Sequence, residues 1–111
     1  MSKMPPSLSK KIKIAAVQAA PVFMDREATT EKVCRLIREA GKNSADVIGF
    51  PEGFIPSFPT WMELTPTGGP LARSLFCELF DQSVEVPGPE VEAIQQACQE
   101  ANIYAVVGIN E

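Results

Sequence analysis

The chain has 111 residues, a formal net charge of −4, 45% apolar and 22% charged residues, and no histidine. Those values fit one globular domain at most and exclude a disordered chain. The acidic balance speaks against nucleic acid and against anionic membrane surfaces as partners.

Residues 1–10 read as a flexible tail rich in proline, serine and lysine. The tail has no apolar core of the kind a signal peptide or membrane anchor needs, so a cytoplasmic location is the expectation. Ile12 to Val17 reads as a first strand. Its near-continuous apolar character predicts cover on both faces. Lys10, Lys11 and Lys13 read as its solvated entry. Pro21 ends the strand, because proline cannot donate to a ladder.

The spacing predicts a helix from near Arg26 to near Lys42. Asp25 is suited to cap it, and Glu27 to the positive end of its dipole. Val33, Leu36, Ile37 and Ala40 fall on one face, and Gly41 stands where a C-terminal cap is wanted. Asp46 to Phe50 reads as a second strand. Pro51, Gly53, Pro56, Pro59, Pro66, Gly68 and Gly69 then punctuate the chain so heavily that no regular element is expected before Pro70. Long loops in compact domains tend to be functional, and Phe54, Ile55, Phe58 and Trp61 give this one apolar area to pack.

A second helix is expected over about 70–80, with Leu71, Leu75 and Leu79 on one stripe beside Phe76 and Phe80. After a turn at Val86-Pro87-Gly88, Pro89 opens a third helix. Its inner face is Val91, Ile94, Cys98 and Ala101, and its stop is Asn102. Ile103 to Ile109 reads as a third strand. Strands alternating with helices imply a parallel sheet. Three strands leave apolar edges and an uncovered second face, so the sequence reads as the first part of a larger domain.

The three cysteines, Cys34, Cys77 and Cys98, are odd in number and widely spaced. Without histidine they argue against a disulfide framework or a zinc site. Each falls in a helical pattern and is expected to be a small buried hydrophobe.

Glu52 carries the chemistry. It follows Pro51 at the end of the apolar run Val47-Ile48-Gly49-Phe50, at the carboxyl end of a parallel strand, where open α/β sheets place ligands. Apolar and aromatic neighbours would desolvate a carboxylate there and make it a better base. A solvated loop glutamate is the alternative. Phe58 and Trp61 are candidates to line a substrate pocket. Trp61 could equally be an anchor that tucks the loop onto the core.

The stretches Lys11 to Pro21 and Ala45-Asp46-Val47-Ile48-Gly49-Phe50-Pro51-Glu52 resemble the opening strand and the catalytic-glutamate segment of the nitrilase, or carbon–nitrogen hydrolase, superfamily. Gly53 to Pro59 resembles the following loop of its true nitrilase branch, with Ser57 and Phe58 standing where glycine and tyrosine are usual. The Val86-Pro87-Gly88-Pro89 turn and the Tyr104 to Gly108 strand fit as well. The resemblance implies the N-terminal part of an α-β-β-α sandwich, a mostly parallel sheet with helices on one face, over residues 11–111. It also implies a Glu-Lys-Cys covalent mechanism acting on a small nitrile or amide, with Glu52 as the base. No metal or organic cofactor is implied, and a homo-oligomer is expected of the complete protein. None of the lysines or cysteines here sits in the family's context for the remaining two roles, so this chain by itself is expected to be inactive. A non-catalytic subunit that pairs with full-length partners is the other reading.

Overall fold

The computed structural model describes residues 10–111, and the expected tail lies outside the described residues except for Lys10. Three short parallel strands form the sheet: β1 (Ile14–Ala16), β2 (Val47–Gly49) and β3 (Tyr104–Val106), in the order β1-β2-β3. Three α-helices accompany them: α1 (Arg26–Lys42), α2 (Pro70–Asp81) and α3 (Pro89–Ala101). The strands are shorter than the apolar runs that announced them. Pairing is limited by β2, which is followed at once by Phe50 and Pro51.

Helix α1 begins where its sequence says it should. Asp25 Oδ1 accepts from the Ala28 N–H at 2.9 Å. Thr29 secures the approach, donating to the Val22 carbonyl at 2.9 Å and accepting from the Val22 N–H at 3.1 Å. Val33, Ile37 and Ala40 are buried as their spacing predicts. They join Ile48 of β2, Ala97 of α3, Ile103, Val84, Phe54 and Ile55 in one core, with Ala15 of β1 and Ala105 of β3 packed against it. Burial of each larger side chain there stabilises the fold by roughly 1.5–3 kcal/mol.

Gly41 does not cap α1. The helix runs on to Lys42, and the left-handed residue is Ser44, at φ 63°. The Ser44 and Ala45 N–H groups close the helix on the Gly41 and Ala40 carbonyls, both at 3.0 Å. Gly41 instead lets α1 and α3 touch: a Cβ on it would lie 2.8 Å from the Ala101 Cβ. Helix α3 stops at Asn102, which is left-handed at φ 52°, as expected.

The described residues cover only one face of the sheet. Register aligns Ala15, Ile48 and Ala105 in one row under the helices, and Ile14, Val47 and Tyr104 in the next. Ile14 is 66% exposed, Tyr104 80% and Val106 67%. The expectation that β1 is covered on both faces is therefore wrong for these residues. Adjacent strand residues point to opposite sides, and both packed helices, α1 and α3, serve the same side.

Helix α2 departs most from expectation. Only Ala72 is buried, while Leu71, Phe76 and Phe80 are exposed. Its period is helical, but the core is already closed by α1 and α3, so the described residues cover the stripe only in part: Leu75 and Leu79 are half-buried, and Phe76 beside them meets Trp61. Cys77, on the same helix, is exposed rather than buried, whereas Cys34 is buried and Cys98 is half-buried. Arg26 ties the end of α2 to the rest. Its Nη1 donates to the Asp81 and Ser83 carbonyls at 3.2 and 2.9 Å. Its Nε lies 2.9 Å from Glu90 Oε1, an ion pair whose N–H is not aligned for a hydrogen bond.

The loop before α2 is not wholly irregular. Thr60–Glu63 forms a single 3₁₀ turn. That stretch carries neither proline nor glycine, and four residues suffice for this tighter helix. No helix among the described residues is long and apolar enough to cross a membrane.

Candidate active site

The site is built on the carboxyl ends of β2 and β3. After Gly49 the chain leaves the sheet. The Phe50 N–H still donates to the Val106 carbonyl at 2.9 Å, and the turn at residues 52–54 follows. Gly53 lies within the turn at φ 58°, a left-handed conformation that glycine adopts without strain. The next four residues dive inward: Phe54, Ile55, Pro56 and Ser57 are all buried. Ile55 pairs with Ile109 as an isolated parallel bridge, its N–H donating to the Gly108 carbonyl at 3.3 Å.

Glu52 itself is exposed. The aromatics expected to desolvate it are engaged elsewhere. Phe50 and Phe54 pack on each other with ring centroids 5.5 Å apart, and Phe54 is 1% exposed, in the core. Within these residues the carboxylate therefore stands free at the sheet end rather than in an apolar pocket. Nearby grooves lie elsewhere: one between β1 and α1 is lined by Lys13, Ala15, Leu36 and Ala40, and another by Met62, Ala72 and Phe76.

Phe58 is 44% exposed and its ring edge rests against Gly53, where a Cβ would come within 3.4 Å of Phe58 Cδ2. It is thus beside the Glu52 turn. Trp61 is 6% exposed and is wedged edge-on between Phe23 and Phe76, with centroids at 6.4 and 5.6 Å. Its indole N–H finds no acceptor among the described residues. The geometry matches an anchor that holds the loop and α2 together.

The cysteines are not arranged as nucleophiles around Glu52. Burial pushes the Cys34 and Cys98 thiols above the ordinary range, which favours the protonated form near neutral pH. Cys77 sits on the exposed side of α2. Two of the lysines serve the backbone: Lys13 Nζ donates to the Asn43 carbonyl, and Lys32 Nζ to the Ala20 carbonyl at 2.6 Å.

Two residues shape the turn that the sequence had read only as the end of a strand. Gly108 leaves room for it: a Cβ there would lie 2.6 Å from the Pro51 carbonyl oxygen, 2.7 Å from the Gly53 nitrogen and 2.9 Å from the Glu52 Cα. Asn110 holds it, with Nδ2 directed at the Ser57 and Gly53 carbonyls at 3.1 and 3.5 Å. The available signal was the glycine closing a β-branched run, which marks a close backbone approach.

Residues 13–111 match the carbon-nitrogen hydrolase family. A nitrilase of Bacillus sp. (strain OxB-1) is 40% identical over 101 residues, covering 91% of this chain and 29% of that protein. An aliphatic nitrilase of Sinorhizobium fredii (strain HH103) is 41% identical over 104 residues, covering 91% of this chain and 34% of its own length. An arylacetonitrilase of Aspergillus kawachii (strain NBRC 4308) is 34% identical over 104 residues, 94% of this chain and 30% of that protein. The chain thus spans about a third or less of the length of these curated relatives.

Proposed function

Because the chain belongs to the carbon-nitrogen hydrolase family and corresponds to its N-terminal portion, we propose that it supplies the general base of a nitrile-hydrolysing enzyme. The observation that carries this reading is the placement of Glu52. It stands three residues past the end of β2, at the carboxyl edge of a parallel sheet, on a turn fixed by Gly53, Gly108 and Asn110.

The chemistry follows from a carboxylate paired with a thiol. Glu52 takes the proton of a cysteine thiol, and the thiolate adds to the nitrile carbon to give a thioimidate. A lysine ammonium steadies the charge that develops on nitrogen. Addition of water expels ammonia and leaves a thioester. A second water, deprotonated by the same carboxylate, releases the carboxylic acid and regenerates the thiol. General base action of this kind contributes about 10²–10⁴-fold in rate. The lysine and the reactive cysteine are assigned to polypeptide outside these 111 residues, since Cys34 and Cys98 are buried or half-buried in the helical layer and exposed Cys77 lies within α2 rather than after a strand. The 111-residue chain is accordingly inactive alone.

Exposed Phe58, next to the turn, is the side chain we place against substrate; Trp61 supports the loop from beneath. The relatives' names divide between aliphatic nitriles and arylacetonitriles, so the nitrile class stays open, and amides remain the alternative substrates. Self-association of the complete protein and a cytoplasmic setting, where free thiols persist, fit the same reading.

A chimera tests it. This chain replaces the matching segment of the Bacillus sp. nitrilase, and ammonia release from phenylacetonitrile and butyronitrile is measured. Turnover is expected in the chimera and is expected to vanish in Glu52→Gln with the fold retained by circular dichroism. A folded chimera without turnover, or a Glu52→Gln variant that keeps it, overturns the proposal. Turnover by the 111-residue chain alone would remove the assignment of the other two groups to a missing part.

A second reading is favoured by the apolar side chains left in solvent, Ile14, Tyr104 and Val106 on the sheet with Leu71 and Phe80 on α2. In it the chain is a non-catalytic subunit that pairs with full-length relatives. Co-elution with the Bacillus sp. nitrilase in a fixed ratio supports that reading, and separate elution removes it.

A further inference from the structure

We propose that Asn110 is a positioning residue for the general base, its carboxamide clamping the turn that carries Glu52 to the end of β3; this rests on the reading of Glu52 given above. The exposed carboxylate makes no hydrogen bond or ion pair among the described residues. Where it stands is therefore decided by the backbone of the turn.

That backbone converges on one residue. The Asn110 N–H donates to the Ile55 carbonyl at 2.9 Å, and its carbonyl accepts from the Val84 N–H at 2.7 Å. Its Nδ2 donates to the Ser57 carbonyl at 3.1 Å and reaches the Gly53 carbonyl at 3.5 Å. The two carbonyls bracket the buried segment that follows Glu52, and Gly53 is its immediate neighbour. Asparagine is suited to the task because one short stem carries two N–H donors. An aspartate of the same shape offers only acceptors to two carbonyl oxygens, which repels the turn instead of holding it. Gly108, two residues earlier, presses the strand end against the Glu52 Cα. Contact from Gly108 and tether from Asn110 leave the turn little freedom.

The geometry matters because proton transfer needs the carboxylate within about 2.6–3.2 Å of the thiol. A displacement of about 1 Å can cost on the order of 10²-fold in rate. A loosened turn costs kcat more than substrate affinity: the carboxylate acts on the enzyme's own thiol, whereas substrate meets only Phe58, next to the clamped Ser57 carbonyl.

Asn110→Ala and Asn110→Asp are compared in two settings. In the 111-residue chain, amide hydrogen exchange at Ile55 and Val84 is expected to rise at least tenfold, while the Val17 N–H, bonded to Gly49 across β1 and β2, keeps its rate. In the chimera, both variants are expected to lose about tenfold to a hundredfold in kcat, with a smaller rise in KM. Unchanged exchange at Ile55 and Val84, or unchanged kcat in Asn110→Asp, overturns the clamp. So does an equal rise in exchange at Val17, which would reduce Asn110 to a general stabiliser. Glu52→Gln, measured alongside, separates the two claims. If it abolishes turnover while Asn110→Asp does not change it, only the clamp fails. If it keeps turnover, the general-base reading fails as well.

Discussion

Gly108 and Glu52 meet backbone to backbone: a Cβ on Gly108 would lie 2.9 Å from the Glu52 Cα and 2.6 Å from the Pro51 carbonyl oxygen. The segment just past β3 is thus the floor on which the Glu52 turn rests. The atoms in the way are main chain and cannot rotate aside as a flexible side chain would. Gly108→Ala is expected to destabilise the chain by about 1–3 kcal/mol, the range for forced overpacking. It should also shift the amide resonances of residues 51–55 far more than those of α1. Urea unfolding with two-dimensional NMR checks both, and wild-type stability with an unmoved turn would contradict the contact.

The three cysteines should separate cleanly by chemistry. Desolvation by burial pushes the Cys34 and Cys98 thiols above their ordinary range, and Cys77 is exposed. Iodoacetamide at pH 7.5 is expected to label Cys77 first, with Cys34 and Cys98 protected until the chain unfolds; peptide mass spectrometry reads the order. The sign for stability follows from linkage. A thiol whose folded pKa is raised contributes fully below its unfolded value of about 8.5 and loses that contribution as pH rises through the folded value. Cys34→Ala should therefore flatten the alkaline fall in urea midpoint.

Much of the fold was legible because its signals are local. Asp25 and the Val33, Ile37, Ala40 spacing mark α1 within a few residues of each other, and Asn102 marks the end of α3 by its own left-handed tolerance. What the sequence hid depends on partners far along the chain. Leu71 and Phe76 have a helical period, but no period says that α1 and α3 have already closed the core. The apolar run around Ile14 announces a strand, but not which faces are covered. At the site, the Phe50-Pro51-Glu52 string locates the acid, whereas its exposure follows from Phe54 turning inward. The parts played by Gly108 and Asn110 exist only once β3 lies beside β2.

Gly41 illustrates the same point and gives a stability test. Its position beside Lys42 suggests a helix cap, yet its ideal Cβ would sit 2.8 Å from the Ala101 Cβ and 2.9 Å from the Ala101 carbonyl oxygen. In an isolated helix Gly→Ala would help by about 1 kcal/mol. Here the two helices must separate to admit the methyl, and overpacking costs about 1–3 kcal/mol. Gly41→Ala is thus expected to lower the urea midpoint, whereas a purely capping or propensity role predicts no change or a rise. Gly41→Ala combined with Ala101→Gly should recover part of the loss, since the second change removes the methyl that the first one strikes.

The outer edge of the same helix pair carries a pH-dependent link. Glu100 accepts from Gln96 Nε2 at 3.0 Å and from Arg38 Nη2 and Nε at 3.2 and 3.3 Å. The Gln96 hydrogen bond first, and Arg38 second, hold the Glu100 carboxyl below its usual range. A lowered pKa means the stabilisation is present above the ordinary glutamate value of about 4.3 and disappears as pH falls through the folded value. Glu100→Gln should therefore shrink the difference between the urea midpoints at pH 6 and pH 3, and should leave the alkaline limb untouched. The effect should be small and should fade in 1 M salt, because both side chains are about half exposed to solvent. An acid limb identical to wild type at low ionic strength would show that Arg38 and Glu100 do not hold the two helices together in solution.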